Sequence, residues 1–105
     1  MNLKALGEEI GLEEDEYIEL IELFLETGAA DYEQLKAAYH AGDAQQVARS
    51  AHTLSGAAGN LRIMNIHEMA RRIERAAGEN QLALVSMDVD ALKERFDEIT
   101  RCVQA

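Results

Sequence analysis

Apolar residues recur every three or four positions through four substantial blocks of this chain, the spacing of amphipathic helices rather than strands. A shorter piece precedes them: Leu3, Leu6 and Ile10 share one side of a predicted helix over about residues 2–9 that stops at Gly11. Such a helix is too short to stand alone and is expected to cap one end of a bundle. The next block begins near Glu13 with Glu13, Glu14, Asp15 and Glu16, carboxylates suited to the positive end of a helix dipole. It continues through Tyr17, Leu20, Ile21, Phe24 and Leu25, then Tyr32, Leu35 and Tyr39. Gly28 interrupts this stripe, so one long helix competes with two shorter ones; the stripe resumes in register, which favours the single helix. Ala41-Gly42-Asp43 supplies a glycine stop and an aspartate N-cap for the following block, Ala44 to Leu61.

The fourth block, Met64 to Ala77, turns Ile66, Met69, Ala70, Ile73 and Ala77 inward and leaves Glu68, Arg71, Arg72, Glu74 and Arg75 as solvated charge. Gly78-Glu79-Asn80 breaks it. A last helix, about Met87 to Val103, offers Val89, Leu92, Phe96, Ile99 and Val103 to the core after a cap at Ser86 or Asp88. Met64, Met69 and Met87 read as packing residues. The pattern is that of an all-α bundle, without repeat, linker or low-complexity stretch.

Composition agrees and removes several functions. The 105 residues, 48% hydrophobic, suit a single domain over residues 1–105 with its own core. Proline is absent, and Ala, Leu, Glu, Ile and Met fill the segment interiors. Twenty acidic residues against ten basic give a formal net charge of −10, which argues against nucleic acid or an anionic membrane as partner. The lone Cys102 permits neither an intrachain disulfide nor a cysteine-based zinc framework. With no signal peptide pattern and no long apolar run, a cytoplasmic setting is expected, for a free protein or for a domain of a larger one.

The third block carries the chemistry. At about 100° per residue, Val47, Ala51, Leu54, Ala58 and Leu61 fall in a sector roughly 80° wide that must face the core. His52 lies about 140° from the centre of that sector and therefore points to solvent. Its neighbours on the wheel are Gln45, Ala48, Arg49, Ser55, Gly56 and Gly59, mostly small residues. A glycine inside a helix costs about 1 kcal/mol relative to alanine, so Gly56 and Gly59 either mark a frayed end or answer a need for an absent side chain. The expected surface is a flat pad with one imidazole rising from it.

Ala51-His52-Thr53-Leu54-Ser55-Gly56-Ala57-Ala58-Gly59-Asn60-Leu61 resembles the motif of the histidine-containing phosphotransfer (HPt) family: His, any residue, Leu, Lys, Gly, two small residues and a Gly-Asn-Leu-Gly-like ending. Phe24-Leu25, Ala41-Gly42-Asp43 and Ile66, Ala70 and Ile73-Glu74 are similar to the family's layout on either side. The resemblance implies an antiparallel four-helix bundle with a short additional N-terminal helix. It further implies reversible phosphoryl transfer: neutral His52 takes the group from a receiver's aspartyl phosphate, through Nε2 in this family, and gives it to another receiver. The receiver would bring the Mg²⁺, so this chain needs no cofactor or metal of its own. Gly56 then reads as clearance for the docking partner, with Ala48 and Gly59 extending it.

Two positions depart from the family pattern. Its lysine three residues after the histidine is Ser55, and its glycine after Leu61 is Arg62. Ser55 can offer one neutral hydrogen bond, and Arg49 or Arg62 are the candidates to replace the charge, Arg49 being nearer on the helix. His40 and His67 carry weak signals: His67-Glu68-Met69-Ala70-Arg71 lacks the second histidine of a zinc helix. No glycine-rich phosphate loop is present and the chain has no room for a nucleotide-binding domain, so an ATP-dependent kinase is not expected. The rival reading is a non-catalytic adaptor that binds a receiver or kinase without taking phosphate. Receiver domains, and a hybrid histidine kinase, are the expected partners of a monomer.

Overall fold

The computed structural model describes residues 1–104; Ala105, the last residue of the expected domain, lies outside the described residues. The described residues form five α-helices and one 3-10 turn: α1 Leu3–Glu9, α2 Glu14–His40, α3 Ala44–Asn60, α4 Met64–Gly78, the turn Leu82–Val85, and α5 Ser86–Gln104. Helix α3 packs against α2 and α4, α5 closes the ring against the same two helices, and α1 rests on α2. The long dimension of 41 Å is about the length of α2 alone.

Local chemistry sets the helix ends. The side chains of Asn2 and Asp43 accept N–H bonds from Ala5 (3.0 Å) and Gln46 (3.1 Å), capping α1 and α3. Glu16 folds back to accept the Glu13 N–H at 2.9 Å, so the acidic run starts α2 as expected. Helices α1 to α4 all end with paired backbone bonds around a left-handed residue, Gly11, Gly42, Arg62 and Asn80 respectively. At the end of α3, Ile63 N–H reaches Ala58 O at 2.9 Å and Arg62 N–H reaches Gly59 O at 3.1 Å, while Arg62 adopts φ 63°. A side chain at that φ is strained, which gives a physical reason for the family's glycine at this position.

Helix α2 runs through Gly28 without a break. The absent side chain is filled from α5: a Cβ on Gly28 would stand 2.8 Å from Phe96 Cε1. Phe96 stacks on Phe24 with ring centroids 5.5 Å apart and tilts against Tyr32 at 6.3 Å. Around this aromatic cluster lie the fully buried Ile21, Leu35, Val47, Leu54, Ile66, Ile73 and Leu92. Tyr17, also fully buried, donates its hydroxyl to the carbonyl of Leu61, tying the start of α2 to the end of α3. Burial, with Glu9 nearby, raises the Tyr17 phenol above its ordinary 10.0. Its contribution to stability is therefore complete below about pH 10 and is lost as the pH rises further.

Several expectations need correction. Leu20 is 40% exposed, because it sits about 60° off the line through Tyr17 and Leu35. Met87 (83% exposed) and Met64 face solvent, each roughly opposite the buried residues of its helix. Neither Ser86 nor Asp88 caps α5: the turn Leu82–Val85 feeds directly into it, and Asp88 instead pairs with Arg72 through contacts of 3.0 and 3.2 Å. No helix among the described residues is long and apolar enough to cross a membrane.

Candidate functional site

His52 stands on the middle of α3 with its side chain 76% exposed, and its one partner comes from α4. Nδ1 lies 2.9 Å from Glu74 Oε2. A carboxylate only accepts, so the shared proton belongs to Nδ1. In the neutral ring this leaves the lone pair on Nε2, in a side chain that is mostly exposed. Ala48, Arg49, His52, Thr53 and Glu74 line one open concavity. The Thr53 hydroxyl donates back to Arg49 O at 3.2 Å, which keeps it on its own helix.

A second cluster lies farther along the same seam between α3 and α4. His67 Nδ1 is 2.8 Å from Ser55 O and 3.1 Å from Ser55 Oγ. The carbonyl only accepts, so Nδ1–H donates toward Ser55 and the hydroxyl oxygen sits within reach of the same hydrogen. Ser55 is 5% exposed. Gly59 belongs to this cluster too, since a Cβ there would stand 2.9 Å from His67 Nδ1 and 3.2 Å from Cε1.

The expected pad is therefore divided. Ala48, half-buried, and Arg49, exposed, stay beside His52; Gly56 is exposed, and a Cβ on it would meet nothing within 4 Å. Ser55 and Gly59 lie on the α4 side of His52 and are taken up by helix packing. Arg62 is ten residues beyond His52, ~15 Å along the axis, with its Nη1 3.4 Å from Gly59 O. Among the described residues, no group of three His, Cys, Asp or Glu side chains is placed to hold a metal ion.

Glu74 is the residue that the sequence reading missed, having placed it among solvated charges. The signal was the short connection between α3 and α4: in a tight helical hairpin, residues nearly equidistant from the turn face each other, and His52 and Glu74 are such a pair about Leu61–Ile63.

An all-helical fold that presents an exposed imidazole, one nitrogen of which is held by a carboxylate, defines a helical domain with one ring nitrogen left uncommitted. Comparison with protein families gives that class a name: residues 19–102, most of the chain, match the Hpt domain model, and the chain belongs to the Hpt domain family. Hpt domains serve two-component phosphorelays as phosphocarriers, through phosphohistidine, and work with receiver domains. No curated protein and no solved structure matched the chain.

Proposed function

We propose that this chain carries a phosphoryl group on His52 Nε2, taken from the aspartyl phosphate of one receiver and passed to the aspartate of another. The observation that carries this reading is the Nδ1–Glu74 contact, which leaves Nε2 as the free nucleophilic nitrogen on an exposed ring. In the forward step the Nε2 lone pair attacks phosphorus; the Nε2–P bond forms as the P–O bond to the donor aspartate breaks, and that carboxylate leaves with the bonding electrons. The ring then holds positive charge shared with Nδ1–H, which Glu74 offsets. Return of the group to a second carboxylate is the same displacement in reverse.

The four long helices are read as an antiparallel bundle with α1 as an added cap, supported by the three-residue connections on either side of α3. The bundle presents the nucleophile and the receiver supplies an acidic pocket with Mg²⁺, which polarises the transferring phosphoryl oxygens. Gly56 and Ala48 give clearance beside the ring. Leu20 and Leu23, 40% and 55% exposed, complete the docking face from α2. They lie on its flank about 150° round from Leu25, Ala29 and Glu33, which line the groove against α5. Arg49, in the same concavity as His52, is the candidate from α3 to hold phosphoryl oxygens. The protein is read as a cytoplasmic monomer.

Incubation with a phosphorylated receiver tests the reading. Acid-labile label on the wild type and none on His52→Gln is the expected result; tight binding without label would identify an adaptor and overturn the carrier assignment.

A further inference from the structure

Contacts at two points fix how α4 lies along α3: Glu74 meets His52, and His67 meets Ser55 and packs on Gly59. Arg71 falls between these two contacts on α4, about 40° from His67 and about 60° from Glu74 on the helical wheel, and is exposed. It therefore stands on the solvent edge of the seam, one turn from the residue that orients His52. The residue of α3 opposite is Ser55, the position of the family's lysine, while Gly56 lies about 100° round from it on the outer face and leaves open space.

Two charges of the neighbourhood are assigned, while Arg49 and Arg75 take part in no ion pair among the described residues. Arg72 is held by Asp88, and Glu74 by His52. Glu68 and Arg75 flank Arg71 on its own helix, and α3 brings His52 with Arg49 in the same concavity. Arg71 takes part in none of the ion pairs among the described residues. In a chain with a formal net charge of −10, Arg71 is an uncommitted guanidinium one turn along α4 from Glu74, the residue that meets His52.

We infer that Arg71 binds the phosphoryl oxygens on His52 from α4, replacing the positive charge that Ser55 removes from α3. This assignment rests on the carrier reading above. The long side chain reaches from the α4 edge of the seam past Ser55 toward His52, and its planar fork donates to phosphoryl oxygens after the Nε2–P bond has formed. The charge has moved from one wall of the seam to the other. Ser55, freed from that task, holds His67 in the interface.

Phosphoramidate, a chemical phosphoryl donor for histidine, charges His52 without a cognate receiver and so separates the two claims. Wild type, Arg71→Ala and Arg71→Lys are charged, their label assigned against His52→Gln, and the phosphohistidine is followed by 31P NMR across pH. The expected result is that Arg71→Ala still takes label, but its 31P titration midpoint moves to higher pH because the dianionic phosphoryl has lost a cation. Its phosphohistidine is hydrolysed about 10-fold faster, the size of one charge-assisted hydrogen bond, and Arg71→Lys recovers most of both effects. An Arg71→Ala midpoint and half-life equal to wild type would overturn the assignment, as would equal losses in Arg71→Ala and Arg71→Lys. Absence of label at His52 in the wild type would instead overturn the carrier reading on which the assignment depends.

Discussion

Along one seam between α3 and α4 the chain builds two histidine sites from nearly the same parts, and they have opposite characters. At one, His52 is exposed, its Nδ1 meets a carboxylate, and the glycine one turn away leaves open space. At the other, half-buried His67 meets the backbone and hydroxyl of Ser55, and its ring fills the place of the side chain that Gly59 lacks. The first glycine leaves its space open to solvent and the second makes room for the chain itself. A small residue beside a histidine is thus ambiguous until the helix packed against it is known.

Substitutions can break this contrast at either end. Glu74→Ala carries the largest expected effect: phosphoryl transfer to or from a receiver slows about 10- to 100-fold, because the ring loses the group that fixes its tautomer and orientation. Stopped-flow transfer kinetics with an unchanged melting temperature would establish this, whereas transfer at the wild-type rate would remove Glu74 from the site.

The two glycines should respond with opposite sign. At Gly59, alanine forces the pinned His67 ring aside, a strain of ~1–3 kcal/mol that exceeds the ~1 kcal/mol gained in helix propensity. Gly59→Ala should therefore lose about 1 kcal/mol, read as a fall of ~4–8 °C in thermal melting. Gly56→Ala meets no obstacle and should gain up to ~1 kcal/mol, while Gly56→Leu keeps the fold and slows transfer. If both alanine variants melted lower, Gly56 would be a packing residue like Gly59.

The smallest effect belongs to Arg62→Gly, which relieves a left-handed residue at the end of α3 and should raise stability by up to ~1 kcal/mol. Transfer rates should not change, since Arg62 lies a helix end away from His52. A substantial loss of transfer would place Arg62 at the phosphoryl group after all.

Much of the fold was legible because it depends on period and caps. The stripe of Tyr17, Ile21, Phe24 and Leu35 located α2, and Asp43 located the start of α3. Leu20, Met64 and Met87 escaped because apolar character alone does not tell the buried centre of a stripe from its margin. In the site, the exposure of His52 followed from its own helix. Glu74 and the burial of Ser55 did not, since a helical wheel orders residues around one axis and contains nothing of the helix beside it.

The most direct measurement is 15N–31P coupling in uniformly 15N-labelled protein charged by a phosphorylated receiver. The coupling should appear at His52 Nε2, with Nδ1 still protonated. Phosphorus on His52 Nδ1, on His67, or on no histidine at all would contradict the account, for it would mean that the nitrogen held by Glu74 is not the one set aside from the reaction.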